Sequence, residues 1–287
     1  MKPLFCFIDD AEFELENFRQ FAAPAFERVE FVYAKTFEEA RHNLKGRLPL
    51  CFLLDLYGTD TRVIAPQVPD KVELAASLGN PPTLDKVYEG LSGQGTELGN
   101  LFLRRLYAQV DCWQRTFLLA AGFLGQGLNY GLANLEAVRA TFPWAAAVGY
   151  SRKSLYADAV RACLAEMDGL LQKPQGGNEG EIAEATRLAA PALAQAAYRA
   201  VDRRLTQMVA NLSLQVVQKG FSGNLVPSLV EALKHMGIYD LGKPARPLHE
   251  VLMAFSRSRL ETAGLDEAQI RAAQALSEWL GIKGDKG

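Results

Sequence analysis

The chain has 287 residues, 49% of them hydrophobic and 22% charged, with a formal net charge of −2. Such a composition excludes disorder and leaves room for one large domain or two modest ones. The near balance of charge offers no electrostatic footprint for phosphate backbones or anionic lipids, which argues against nucleic acid and membrane surfaces as partners.

The first residues, MKPLFCFIDD, run straight into acidic residues without a long apolar core or a small-residue cleavage site, so a cytoplasmic location is expected. PLFCFI (3–8) is an apolar run of strand length. The segment after it places Phe13, Phe18 and Phe21 at helical spacing. VEFVYA (29–34) reads as a second strand, and Thr36 with Glu39 forms a capping box for the helix FEEARHNLKG. Pro49 precedes LCFLLDLY, a third run that is apolar on both faces, as in a buried parallel strand. This βαβαβ order implies parallel pairing through right-handed crossovers.

A block at 58–128 then interrupts the alternation. It opens on a Pro- and Gly-punctuated stretch and continues with helices near 70–78 and 83–91 and a long apolar-rich helix from Glu97 to about Leu124. Leu101, Leu106, Tyr107, Val110, Trp113 and Phe117 give that last helix more apolar surface than a solitary surface helix exposes, so it needs a partner. Its most apolar stretch, TFLLAAGFLG, has about half the length of a membrane span. The alternation resumes with a helix at 132–140, a strand at 145–150, a helix at 154–167 and a strand at 169–173. After a linker, QGGNEGE (175–181), helices are expected almost to the end, with a kink or break near Pro191 and stops at Gly237 and Gly264. The expected partition is one α/β unit of five parallel strands, 1–57 with 129–178, and an all-helical domain made by packing 58–128 with 179–287.

In an open parallel sheet the ligand site lies beyond the carboxyl ends of the strands. Asp9 and Asp10 end the first strand, Asp55 the third and Lys173 the fifth, while Ser151 follows the fourth. Three carboxylates brought within about 5 Å repel by roughly 3 kcal/mol per pair at an effective dielectric near 20. A hard divalent cation offsets that repulsion, and Mg2+, which takes one or two carboxylates plus a phosphoryl oxygen, suits the set.

Those residues, in that order, resemble the receiver domain of bacterial two-component response regulators: an acidic pair after strand one (Asp9, Asp10), an acceptor Asp after strand three (Asp55), a Ser or Thr after strand four (Ser151), and Lys-Pro after strand five (Lys173, Pro174). The separations of 45 residues from Asp10 to Asp55 and 22 from Ser151 to Lys173 match the family, whereas 96 from Asp55 to Ser151 exceeds it because of the inserted block. The resemblance implies a doubly wound sheet of order 2-1-3-4-5. It also implies Mg2+ held by Asp10, by Asp9 partly through water, by Asp55 and by the Tyr57 carbonyl. Asp55 is then the nucleophile and phospho-acceptor, Lys173 neutralises phosphoryl oxygens, and Ser151 hydrogen-bonds the new phosphoryl group and draws the following loop inward. Tyr57 and Lys153 flank the approach of hydrolytic water. Implied partners are a sensor histidine kinase or phosphotransfer protein and a protein target of the helical domain, or a second copy of the chain. Leu170 stands where many receivers carry an aromatic switch residue, which implies a different output wiring.

Other roles suit the same residues. Asp9 or Asp10 can cap a helix starting at Ala11, Ser151 can be a turn residue, and Lys173 a solvated strand end. His42, His235 and His249 are isolated, and the four cysteines lack metal-ligand spacing and read as reduced, buried thiols. LDEAQIRAAQALSEWLG can pass for part of a helix-turn-helix. The balanced charge of the tail and the few residues after Trp279 argue against a DNA-binding regulator. No nucleophile or ligand constellation marks an independent enzyme in the helical parts. A receiver that is never phosphorylated is disfavoured by the intact acidic set.

Overall fold

The computed structural model describes residues 3–27, 29–59, 67–78, 83–92, 95–153 and 156–219. The expected helices beyond 219, with Gly237, Gly264, His235 and His249, lie outside the described residues.

Five strands, β1 (Leu4–Ile8), β2 (Glu30–Ala34), β3 (Cys51–Leu54), β6 (Ala146–Ser151) and β7 (Gly169–Gln172), form one parallel sheet in the order β2-β1-β3-β6-β7. Between β3 and β6 lies a two-residue antiparallel ladder of β4 (Gly58–Thr59) and β5 (Gln126–Gly127). Register is tight at the centre: Phe7 pairs with Leu53 and Ile8 with Leu54, while Leu54 pairs across with Gly149. The β1 and β3 side chains are buried on both faces, which accounts for their unbroken apolar runs.

Period-two alternation sorts the strands onto two cores. Phe5, Phe7, Leu53, Val148 and Tyr150 face one way, with Phe18 and Phe26 from the segment after β1. That segment starts as α1 (Glu12–Asn17), widens into a π turn at Phe18–Ala22 and tightens at Ala23–Ala25, where Pro24 sits. On the opposite face Phe52 lies between Phe37 of α2 (Phe37–Leu44) and Phe142, which follows α6 (Asn129–Thr141). Thr36 caps the helix as expected, its Oγ1 accepting from the Glu39 amide at 3.2 Å, but the Glu39 carboxylate reaches one residue past the cap and accepts from the Lys35 amide at 2.7 Å instead of closing the box on Thr36. The helix α7 (Tyr156–Leu164) leads into β7.

The long helix α8 (Glu179–Lys219) covers the first face. Ala190, Leu193, Ala194, Ala197, Val201 and Leu205 are buried within the same core as Phe5 and Phe7, and its small residues let the helix sit close. Asn17 donates to Thr186 Oγ1 at 3.0 Å, which satisfies both buried polar groups between α1 and α8. The structure therefore differs from the expected partition. Residues 179–219 belong with the sheet, because a doubly wound sheet left bare on the α1 face would expose its aromatic core to water. The expected linker is also shorter, since helix begins at Glu179, and it runs through Pro191 without a break. Packing of 58–128 against residues beyond 219 lies outside the described residues.

By its contacts the chain divides into two units, one holding residues up to Leu56 and from Gly131 onward, the other Tyr57–Tyr130. In the second, α3 (Lys71–Leu78) and α4 (Leu84–Tyr88) pack on α5 (Thr96–Phe123), with the Tyr57 ring edge-on to Phe117 at 6.0 Å. Arg105 donates to the Lys86, Val87 and Glu89 carbonyls and so caps α4. Leu103, Tyr107, Val110 and Trp113 remain exposed along α5. In the first unit, Gly131 donates its N–H to the Leu56 carbonyl at 3.2 Å, and a Cβ there would lie 2.6 Å from Leu56 Cα and 2.7 Å from the Asp55 carbonyl oxygen. Only glycine permits α6 to cross the end of β3 this closely.

Candidate functional site

Because all five strands run the same way, their carboxyl ends share one edge. Asp9 follows β1 and takes the Ala34 carbonyl with its backbone N–H at 3.1 Å; Asp55 follows β3 and donates its N–H to the Ile8 carbonyl at 2.9 Å. These bonds extend the ladder just past the strands and fix both side chains at the edge. The Lys173 N–H donates to the Ser151 carbonyl at 3.0 Å, so the ends of β6 and β7 are locked in the same way.

The structure brings the expected residues together. Asp9, Asp10 and Asp55 each offer a carboxylate oxygen within 4.8 Å of the others. Asp9, Asp55, Ser151 and Lys173 are buried, while Asp10 is half-buried. Lys173 Nζ bonds Asp9 Oδ2 and lies 3.5 Å from Asp55 Oδ1 and 3.6 Å from Glu14 Oε2, beneath the Phe7 and Tyr150 rings at 5.7 and 5.9 Å. Lys173 is thus no solvated strand end. Asp9 Oδ1 accepts from the Ala11 N–H at 3.1 Å, but α1 itself has Ala11 at its N-cap position and no side-chain cap, so helix capping does not account for the acidic pair.

The cluster carries more negative than positive charge, and its proton affinities follow. Burial pushes the Asp9 carboxyl up to about 7 against the pull of Lys173, with Asp55 adding to the rise. Burial also raises Asp55, opposed by Lys173, the Ser151 hydroxyl and Lys153. Burial works against the Lys173 ammonium, but Asp9, Asp55 and Glu14 outweigh it and hold the group charged.

Two buried atoms decide what the cluster is fit for. Asp55 Oδ1 and Ser151 Oγ have no hydrogen-bond partner of sound geometry, although the hydroxyl stands close enough to lower the Asp55 carboxyl. A buried oxygen left without a partner costs about 1–3 kcal/mol. Asp9, by contrast, has both oxygens engaged. The Asp55 carboxylate, with an oxygen near those of Asp9 and Asp10 and an Oδ1 that has only the Lys173 charge at 3.5 Å and no hydrogen bond, fits a small oxygen-seeking cation, and the Ser151 hydroxyl fits an acceptor arriving at Asp55. Tyr57 is buried two residues past Asp55.

Sequence reasoning missed two residues. Glu14, one turn into α1, receives three bonds from the Arg152 guanidinium at 3.0–3.1 Å, and Arg152 also donates to the Pro174 carbonyl. A pair 138 residues apart gives no local pattern; the sole hint is an arginine directly after Ser151.

A five-stranded parallel sheet in this order, with carboxylates at the ends of the adjacent strands β1 and β3, is a receiver-like α/β architecture. No family model matches the chain, and no curated protein does. Among solved structures it is similar to a CheY-like response regulator receiver domain protein from Methanospirillum hungatei JF-1, at 13% identity and a TM-score of 0.32, covering 68% of this chain and 98% of that one. It is also similar to the RcsB response regulator of Salmonella typhimurium, solved for its conformational dynamism in DNA interaction, at 12% identity and a TM-score of 0.33, covering 99% and 94%. Likenesses at these scores add nothing to the fold, which stands on strand order and register. Among the described residues no helix is long and apolar enough to cross a membrane.

Proposed function

We propose that the chain is a signalling response regulator that accepts a phosphoryl group on Asp55 in a Mg2+-dependent reaction and thereby alters what its helical parts bind. The observation that carries this is the Asp55 carboxylate at the end of a central strand: one oxygen lies within 4.8 Å of oxygens of Asp9 and Asp10, and Oδ1, which has no hydrogen-bond partner, lies 3.5 Å from Lys173. Asp10 and Asp55 offer oxygens to the cation, Asp9 supports from behind through Lys173 or a water, and the Tyr57 carbonyl is the backbone donor. When bound, Mg2+ supplies the positive charge that lets the carboxylates ionise together and draws a phosphoryl oxygen toward them.

The chain's own residues do the rest. An Asp55 carboxylate oxygen attacks the phosphorus of a phosphohistidine or small acyl phosphate. The new P–O bond forms as the bond to the imidazole nitrogen or acyl oxygen breaks, and the leaving group departs with the electron pair. Lys173, held charged, meets the negative charge on the phosphoryl oxygens. The Ser151 hydroxyl gains the acceptor it lacks. The donor is a sensor histidine kinase or phosphotransfer protein, and the recipient of the signal is a protein or a second copy of the chain.

Intact-protein mass spectrometry after incubation with acetyl phosphate and Mg2+ tests the proposal. The expected result is one added phosphate on the wild type and none on Asp55→Asn or without Mg2+. Equal gain by Asp55→Asn, or no gain by the wild type, overturns it.

A further inference from the structure

We propose that Glu14 is a positioning residue that holds Lys173 and the chain after Ser151 in the resting arrangement, with Arg152 as its counter-ion. The proposal rests on phosphorylation at Asp55. Glu14 joins Lys173 to a second cation outside the acidic cluster: its Oε2 lies 3.6 Å from Lys173 Nζ, and both its oxygens accept from Arg152 at 3.0–3.1 Å. A forked guanidinium–carboxylate pair fixes both partners in direction as well as distance. The pair is mostly shielded, with side-chain exposures of 17% and 15%, so solvent screens it little.

Arg152 spreads that grip. It donates to the Pro174 carbonyl, and Gln175 donates back to the Arg152 carbonyl at 2.9 Å. Four residues later the chain enters α8, whose buried face completes the sheet's aromatic core. Glu14 therefore ties Lys173, by an ion pair, and the first residue after Ser151 and the lead into α8, by hydrogen bonds, into one unit.

Phosphorylation replaces the single carboxylate charge of Asp55 with close to two on the phosphoryl oxygens, about one further negative charge. Lys173 is already 3.5 Å from Asp55, about as far as from Glu14, so the added charge shifts the balance and draws the ammonium away from Glu14. The Ser151 hydroxyl, turning to the new acceptor, pulls on Arg152 from the other side. Both motions load the Glu14–Arg152 pair, which consequently favours the resting state. A group that binds one of two states more strongly biases the equilibrium by that difference alone. This linkage needs no aromatic switch on β7, where Leu170 stands.

The test uses the full chain and beryllofluoride, a stable stand-in for a phosphoryl group, titrated calorimetrically with Mg2+ present. Glu14→Gln is expected to bind it about fivefold tighter than wild type, a modest coupling. It should also exchange the amides of 175–178 faster in the resting state. Arg152→Lys, which keeps the charge and loses the fork, is expected to fall between, and it stands in if Glu14→Gln does not fold. A merely structural Glu14 would lower the unfolding midpoint while leaving the affinity within about twofold of wild type; that result, or weaker binding, overturns the proposal. Wild-type binding that vanishes in Asp55→Asn but is unmoved in both variants removes this inference alone. Equal binding, or none, in wild type and Asp55→Asn removes the phosphorylation reading and this inference with it.

Discussion

The two edges of the sheet treat buried charge in opposite ways. At the amino end of β6, Arg139 and Asp168 pair at 2.8 Å, and each also has backbone partners: Arg139 donates to the Ala145 and Glu166 carbonyls, leaving only its Nε without an acceptor, and Asp168 accepts from the Ala147 N–H. At the carboxyl edge, Asp9, Asp55 and Glu14 crowd one lysine and Asp10 stands by the two aspartates, with Asp55 Oδ1 and Ser151 Oγ lacking hydrogen-bond partners. The first edge fastens β7 to β6. The second keeps a surplus of acceptors and one spare donor, at a cost in stability, and a cluster of this kind is completed by what arrives from outside.

Removing a partner should therefore hurt one edge and help the other. Arg139→Ala is expected to cost about 3 kcal/mol in urea unfolding, because it strands Asp168 together with two carbonyls. A cost under about 1 kcal/mol would mean that the pair is no brace. Gly131→Ala is expected to lose about 2 kcal/mol, since its Cβ would meet backbone at 2.6 Å, and to weaken Mg2+ binding by shifting the Asp55 carbonyl. If magnesium affinity survives while stability falls, the crossing of β3 by α6 does not shape the site.

Metal-free Asp55→Asn should gain about 1 kcal/mol at pH 8, because it removes a desolvated charge from a crowded cluster. The pH dependence sharpens this. Asp9 is raised to about 7 from an ordinary value near 4, so between those values the folded chain binds more protons than the unfolded one. The metal-free protein should accordingly lose stability as pH rises from about 4 to 7 and level off above. Midpoints of chemical unfolding across that range check the slope. Added Mg2+ should reverse it, with a larger stabilisation at pH 8 than at pH 6, since ligation needs ionised carboxylates. The smallest effect is expected from Lys153→Ala, a change of about twofold in dephosphorylation rate, because Lys153 acts on Asp55 only at a distance.

The sheet was legible because parallel strands buried on both faces are written as unbroken apolar runs, and PLFCFI and LCFLLDLY admit few other placements. The cluster was legible for a related reason: each of its residues sits directly behind such a run. The role of α8 was not. Its buried stripe is built on Ala190, Ala194 and Ala197, which carry almost no hydrophobic contrast, and Pro191 in the midst of them suggested an ending. Glu14–Arg152 and Arg139–Asp168 were equally hidden, since ion pairing across the fold leaves no spacing to read.

The single hydrogen bond between Gly131 and Leu56 has a consequence for how such a chain arises and how it can be rebuilt. The segment 57–130 departs and returns through adjacent points, and near its ends residues 58–59 pair with 126–127 as β4 and β5. To the sheet it is a loop whose ends are already pinned. The entropy of closing such a loop grows only with the logarithm of its length, about 0.6 kcal/mol for each doubling. The part between β4 and β5 can therefore be enlarged, exchanged or cut down to a few linking residues while β3, α6 and the acidic edge keep their places. Opening the chain inside it, and joining the ends elsewhere, should leave the parallel sheet intact.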